Sequence, residues 1–321
     1  MSVYLPLMMQ SLFNTPIALS DAKAKVIVSA FAGRLNIQSL EAEAFKLDRA
    51  GMRDLAASGR KEADLDRNRN AAARRVQAPE GPMTSDDWYG DRPYKLTSKG
   101  IAIIEISGTL TRTWGVGPYS GTTGYDGIWT QLAFAMDDDS CTGIWLKINS
   151  GGGAIDGLAD LAQGIYRCSA RFGGKPIWAF AGDAAYSAAY WLASAADRVI
   201  VAPLGGVGSI GVIAIYADIT RALEEEGIEA IIFRSAKRKA IGIGGIEKMD
   251  DQEINHIQSQ IDEAGGFFEA AVAQYRSIAK SAVSETQGTD YTASQALAIG
   301  LVDDVLTEQD AWNSFERELA Q

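Results

Sequence analysis

Residues 143–153 read GIWLKINSGGG, an apolar run that ends in three consecutive glycines. The apolar run is typical of a buried strand, and the residues from Asp156 to about Arg171 predict a helix. A strand, a glycine loop and a helix in this order begin a crossover unit of an α/β fold. Glycines at such a loop also let backbone N–H groups approach a ligand oxygen closely.

The same alternation of apolar runs and helical patterns continues on both sides of this stretch, which predicts an α/β core with mainly parallel strands. We predict further strands at 101–106, 176–181, 198–202, 211–216 and 229–233. We predict further helices at 125–136, 187–196, 219–226, 251–282 (loosened at Gly265 and Gly266) and 292–299, the last followed by Gly300 at its C-terminal cap.

Composition divides the 321 residues into four parts. We expect an N-terminal helical segment at 1–56, a polar linker at 57–99, an α/β domain at 100–307 and a C-terminal tail at 308–321. Within the first part, the pattern from Ser20 to about Arg34 predicts a helix that begins at a serine cap.

The charge and the scarce histidine exclude several classes of protein. A net charge of −11 argues against a nucleic-acid-binding surface, which needs clustered Lys and Arg. His256 is the single histidine, and Cys141 and Cys168 are the two cysteines, too few for a metal centre of several His or Cys ligands. We find no convincing export or membrane segment and expect a soluble, intracellular protein.

The glycine loop at 149–153 (NSGGG) is the first candidate for a functional site. It does not match the glycine patterns of nucleotide-binding loops, so a nucleotide is not favoured. The alternative interpretation is a tight turn between a strand and a helix.

Ser187 is the second candidate, because it stands between a predicted strand and a helix of small residues. A hydroxyl there can project into a cleft, and the N–H of Ala188 can help to hold an oxyanion. The alternative is that Ser187 only caps the helix, a role that serine favours. Ala185 and Ala189 stand where the nucleophile elbow of α/β-hydrolases requires glycine, so that class is disfavoured.

A serine nucleophile needs a base, and the sole histidine lies in a polar helical stretch where we expect it to be exposed. A lysine can serve where burial lowers its pKa. The loop 234–241 contains Lys239, but the residues alone favour a solvated basic turn over a catalytic loop.

Four segments in order resemble the signal peptide peptidase A-like serine proteases, the S49 family. Residues 149–153 resemble the family's oxyanion loop, with Gly151 in place of a proline. Residues 186–190 resemble its nucleophile helix. Residues 208–212 (GSIGV) resemble a further family segment, and 235–241 resembles the segment that carries the base.

The resemblance implies a ClpP/crotonase-like core of repeated β-β-α and βαβ units with an N-terminal helical appendage, and a Ser–Lys protease domain at 100–307. It implies Ser187 as nucleophile, Lys239 as base and Ser209 as the residue that orients the lysine amine. The N–H groups of Gly153 and Ala188 are the candidates for the oxyanion hole. No metal or organic cofactor is implied.

Residues 107–110 and 118–125 and the N-terminal stretch 31–35 resemble one branch, the capsid-assembly (head maturation) proteases of lambda-like phages and prophages. That likeness implies cleavage of scaffold, portal or capsid proteins in the host cytoplasm or procapsid, and a homo-oligomer. We also expect self-cleavage within 57–99. The alternatives are a cellular signal-peptide peptidase, a crotonase-type acyl-CoA enzyme and a capsid structural protein with an idle site.

Overall fold

In the computed structural model, the described residues are the short strands β1 (Ile17–Leu19), β2 (Leu40–Ala42) and β3 (Phe45–Leu47), and residues 92–118 and 121–321. They fall into two compact units. The larger unit contains β1, the described residues of 92–213 and residues 262–321, and the smaller contains β2, β3 and 214–261. The helix predicted from Ser20 to Arg34 lies outside the described residues, as do residues 57–91 of the predicted linker.

A mostly parallel sheet forms the centre of the larger unit, as the alternation of strands and helices predicts. Its strands are β4 (Lys95–Leu96), β5 (Ile101–Ser107), β8 (Gly143–Ser150), β10 (Ile177–Tyr186), β11 (Arg198–Val201), β12 (Gly206–Gly208), β13 (Asp290–Thr292) and β14 (Asp304–Val305). The main path runs β13-β12-β10-β8-β5-β4, and β11 pairs with both β10 and β14. Only the β4–β5 and β12–β13 pairs of this sheet are antiparallel among the described strands.

A second, smaller sheet of the larger unit has the order β1-β9-β6-β7. Its other members are β6 (Thr109–Thr111), β7 (Thr122–Gly124) and β9 (Gly152–Ala154). Strand β9 immediately follows β8, so the glycine loop of the sequence passes directly from one sheet into the other.

The described helices follow the predicted pattern closely. They are α1 (Tyr125–Asp137), α2 (Leu158–Cys168), α3 (Ala188–Ser194), α4 (Thr220–Glu225), α5 (Asp251–Arg276), α6 (Lys280–Ser284), α7 (Ala293–Ala298) and α8 (Glu308–Leu319). Helix α5 continues through Gly265 and Gly266, where only a loosening was expected, and ends before the predicted limit at 282. Helix α7 has a Thr292 capping box, and Gly300 follows it with φ +79°.

Hydrophobic side chains cover both faces of the large sheet. One cluster joins the sheet to helices α1, α2, α3 and α5. A second cluster contains Trp145, Trp178 and Phe180 from the strands and Phe315 from α8. Phe315 is fully buried and its ring lies 5.0 Å from that of Trp178, so residues 308–319, expected to be a tail, close the second face as a helix.

Two predicted strands of the 211–233 region are wrong. Residues 211–216 and 229–233 form no extended strand, although helix α4 lies between them as predicted. A strand requires a partner for its backbone groups, and the apolar side chains of Ile231 and Phe233 are exposed instead of packed. An apolar run alone therefore mispredicted the structure here.

The bounds of two other elements differ from the prediction in ways that matter for the site. Strand β10 continues past the predicted end at 181 to Tyr186, because its last residues pair with β12 and Ala185 pairs with Ser150 after a register shift. Helix α2 begins only after Gly157, whose φ is +78°.

The predicted domain limits stay a prediction, although Lys95 and Leu96, at the end of the 57–99 segment, pair with β5.

No described helix is long and apolar enough to cross a membrane.

Candidate active site

Ser187 lies between the end of β10 and the first residue of α3. Its backbone has φ 55° and ψ −122°, a conformation that costs a non-glycine residue about 1–3 kcal/mol. The surrounding structure holds it there, since the Ser187 N–H donates to the Gly208 carbonyl at 2.8 Å and its own carbonyl accepts from the Trp191 N–H at 2.9 Å. The strained geometry aims the serine side chain away from the helix that follows.

The Ser187 hydroxyl does not cap α3. It makes no hydrogen bond to the backbone N–H groups of the helix and instead donates to the Gly211 carbonyl, with 3.4 Å between the oxygens. The residue has no exposed surface. The alternative interpretation as an N-cap is therefore not supported, and a buried hydroxyl with one long hydrogen bond is left at this junction.

Ser209 lies beside Ser187. Tyr186 of β10 pairs with Gly208 of β12 in parallel register, so the two serines directly follow paired residues. Ser209 also has a left-handed backbone, with φ 54°, and its N–H donates to the Thr289 carbonyl at 3.0 Å. The GSIGV segment at 208–212 thus places a second serine, which is almost fully buried, at the same end of the sheet.

The turn in the glycine loop is shorter than the sequence suggests, because Gly152 and Gly153 belong to strand β9. Gly153 pairs with Leu110 of β6 on one side and with Ala18 of β1 on the other. A β-carbon at Gly153 would lie 1.9 Å from the Leu110 carbonyl oxygen, so no other residue fits without a shift of the backbone. The sequence therefore needs glycine at 153 for close packing of two strands.

Ser150 fixes the start of this loop. Its hydroxyl donates to the Gly108 carbonyl at 2.7 Å and accepts from the Gly152 N–H at 3.1 Å. Ser150 belongs to the NSGGG motif but has no predicted role. Its place directly before the glycine run of NSGGG was the signal that could have identified it.

Ala188 is the first residue of α3, so its N–H has no partner in a preceding helical turn. Helix α3 packs against β9 and β10, which keeps Ala188 and Gly153 in one compact unit. Tyr190 anchors the helix, since its hydroxyl donates to the Leu301 carbonyl at 2.7 Å. Burial raises the pKa of this hydroxyl above its ordinary range.

Lys239 belongs to the smaller unit, on an exposed turn where its N–H donates to the Ala236 carbonyl at 3.0 Å. The following residue, Ala240, has φ 59°. His256 is also exposed, on α5, as the polar pattern predicts. Of the predicted site residues, the structure brings Ser187, Ala188, Ser209 and Gly153 into the larger unit and places Lys239 in the other.

The larger unit therefore contains a buried alcohol on a strained backbone, and the next residue in the chain, Ala188, has a backbone N–H that can stabilise a developing negative charge. No group of three or more His, Cys, Asp or Glu side chains in the described part of the chain has the arrangement of a metal site. This combination suits nucleophilic attack on an acyl carbon.

Comparison with known families agrees with that chemistry. Residues 170–321 match the profile of Peptidase family S49, and the matched range includes Ser187, Ser209 and Lys239. Residues 170–321 thus match an S49 peptidase domain, and three of the four sequence segments that resemble the family lie in that range.

Two phage proteins are among its relatives. Capsid assembly protease C of Escherichia phage lambda is 32% identical over 308 residues, which cover 96% of this chain and 64% of the phage protein. Head-tail preconnector protein GP5 of Enterobacteria phage P21 is 34% identical over 72% of this chain and 46% of its own length. The chain thus spans about two thirds and about half of these two proteins. A putative signal peptide peptidase SppA of Enterococcus faecium is 26% identical over 69% of this chain.

Proposed function

We propose that the protein is a serine endopeptidase in which Ser187 is the nucleophile and Lys239 the general base. The observation that carries the proposal is the Ser187 backbone, strained at the β10–α3 junction with a buried hydroxyl that does not cap the helix. Strain of this kind is retained where function requires it. The family match over 170–321 supports a peptidase.

In the proposed reaction, the Ser187 Oγ bonds to a peptide carbonyl carbon while its proton passes to the Lys239 amine. The N–H groups of Gly153 and Ala188 stabilise the oxyanion. The C–N bond then breaks, and the lysine gives the proton to the leaving amine. A water molecule next attacks the acyl-enzyme, its proton passing through Lys239 back to Oγ as the ester bond breaks. In this scheme the Ser209 hydroxyl orients the lysine amine.

We propose that the protein works as a homo-oligomer in which neighbouring copies cover the Lys239 turn. An exposed ammonium group is a poor base, whereas burial favours the neutral amine. Exposed apolar side chains precede that turn at Ile228, Ile231 and Phe233, the last 93% exposed. Contact between copies would bury this surface and remove water from the lysine. An active monomer at micromolar concentration in light scattering would contradict this part of the proposal.

We propose scaffold, portal or capsid proteins as substrates, cleaved during phage head assembly in the host cytoplasm or procapsid. The relatives from lambda and P21, one of them named a capsid assembly protease, support this substrate class. We further propose that the parallel sheet of the larger unit is a ClpP/crotonase-like core with an N-terminal helical appendage.

Coexpression with the capsid, portal and scaffold proteins encoded beside it tests this function. New protein termini, mapped by mass spectrometry, should appear with the natural chain and be absent with Ser187→Ala. Ser194→Ala is the matched control, because Ser194 is a buried serine of the same helix whose hydroxyl bonds only the Trp191 carbonyl among described groups. Identical termini with the natural chain and with Ser187→Ala would refute the proposal.

A cellular signal-peptide peptidase is the second candidate, supported by the 26% identity to the Enterococcus protein. It would cleave free signal peptides and leave the capsid proteins intact in the same experiment. A crotonase-type enzyme would form no covalent adduct at Ser187.

A further inference from the structure

Strand β9 has one side occupied by its own sheet and the other by the N-terminal strand β1. On the first side Gly153 pairs with Leu110 of β6. On the second side β1 runs antiparallel to it, with Ile17 opposite Ala154, Ala18 opposite Gly153 and Leu19 opposite Gly152. In the sheet order β1-β9-β6-β7, β9 would be the edge strand if β1 were absent.

We propose that this edge of β9 is the binding site for the extended main chain of a substrate and that β1 occupies it as a tethered competitor. The inference rests on the proposed peptidase function. An extended peptide adds to an exposed sheet edge through main-chain hydrogen bonds, which require no particular side chains. The edge in question carries Gly153, the candidate oxyanion donor, and packs against the helix that begins next to Ser187.

Ser187 itself is buried in the described structure. A residue with no exposed surface cannot meet a peptide carbonyl, so the described state is a closed one. A strand paired over only three residues is readily exchanged, yet its attachment to the same chain gives it a high effective concentration. The strand β1 therefore keeps the edge covered until a substrate in sufficient local concentration, as in an assembling particle, displaces it.

A reversible cross-link tests the inference in the full chain. Ile17 and Ala154 are opposite residues of an antiparallel pair, close enough for a disulfide. The double variant Ile17→Cys with Ala154→Cys should form it on oxidation, seen as an intramolecular bond by mass spectrometry. Cleavage of an unstructured protein such as casein should be at least about tenfold slower in the oxidised form and recover on reduction. Each single variant, oxidised in parallel, controls for Cys141 and Cys168.

Proline variants provide a second measurement that needs no cross-link. Consecutive N–H groups of a strand point to opposite sides, so either Ala18→Pro or Leu19→Pro removes a donor that faces β9. At least one of them should cleave casein faster than the natural chain.

The outcomes separate the inference from the function on which it rests. Equal cleavage before and after reduction of a formed disulfide, or failure of the disulfide together with unchanged proline variants, overturns the inference and leaves the peptidase intact. A disulfide between two chains also overturns it, because β1 of a second copy would then be the occupant. Absence of cleavage in every form, the natural chain included, refutes the peptidase and the inference together.

Discussion

Ser187 and Ser209 directly follow two paired residues of β10 and β12, and both have a positive φ, 55° and 54°. The pairing also provides the hydrogen bond from the Ser187 N–H to the Gly208 carbonyl. One pair of parallel strands thus fixes the proposed nucleophile and the proposed positioning residue with respect to each other.

The strained backbone at Ser187 should cause two inactive variants, Ser187→Ala and Ser187→Gly, to differ in stability. Both Ser187→Ala and Ser187→Gly remove the hydroxyl, but only glycine adopts this φ without strain. We expect the glycine variant to unfold with a free energy about 1 kcal/mol higher than the alanine variant, measured by chemical denaturation. Equal stabilities would mean that the backbone at 187 is not strained.

Ser209→Gly separates the hydroxyl of Ser209 from its backbone. Glycine suits the φ of 54°, so the fold should be kept, and a purely structural serine would leave activity unchanged. If the hydroxyl orients the base, kcat should fall by about tenfold to a hundredfold, a typical effect of lost proton-transfer assistance, with KM nearly constant. Full activity of Ser209→Gly would remove the positioning role.

The pair of Arg276 and Asp303 should make stability depend on pH in acid. Arg276 donates to both carboxylate oxygens of Asp303, at 2.8 and 2.9 Å, and Val199 adds its N–H at 2.7 Å. Burial alone would raise the pKa of Asp303, but the hydrogen bonds and charge of Arg276 more than offset this and hold it below the ordinary value. Stability from the pair is therefore complete above about pH 4–5 and declines as pH falls through the lowered pKa.

Asp303→Asn should lower the free energy of unfolding by roughly 2 kcal/mol at pH 7, because it leaves Arg276 almost fully buried without a counter-charge, and the difference should shrink in acid. Asp304→Asn is the matched control. Its partner Arg198 and Asp304 itself are both more than a third exposed, so the expected loss is below about 1 kcal/mol. A gap between the two variants that is as large at pH 2 as at pH 7 would contradict the assignment.

Self-cleavage within 57–99 should shorten the purified natural chain. The polar composition of that segment favours an accessible backbone, and its attachment to the protease raises its effective concentration. Cleavage is expected after small residues, at Ala56, Ala57 or 71–73. Intact-mass spectrometry should show the shortened chain, and Ser187→Ala purified identically should remain whole. The same truncation in both proteins would identify a contaminating protease.

The sequence predicts the parts of this fold whose side chains carry a pattern. The apolar runs of β8 and β10 and the start of α3 directly after Ser187 all follow from periodicity and small residues. Strand β12 reads GVG, has too few side chains for a pattern and exists because β10 continues past its apolar run. The 229–233 run fails in the opposite way, since its apolar residues form no strand with any described segment.

The same contrast between local pattern and long-range pairing applies to the candidate site. The sequence identifies Ser187 and the glycine loop that contains Gly153 as candidates, because each follows a predicted strand, and the family resemblance adds Ser209. It cannot predict the positive φ at the two serines, which depends on pairing between distant segments. The pairing of β1 with β9 joins residues more than a hundred positions apart and has no local signal.

The most direct test of the account is covalent labelling of the full chain with a fluorophosphonate, a reagent that bonds to activated serines. We predict one adduct, mapped to Ser187 by peptide mass spectrometry, which persists in Ser194→Ala and His256→Ala. In Lys239→Arg, whose guanidinium stays protonated, labelling should fall at least a hundredfold, whereas Lys237→Arg on the same exposed turn should be labelled normally. An adduct on another residue, or equal labelling of Ser187 in both lysine variants, would contradict the Ser–Lys assignment.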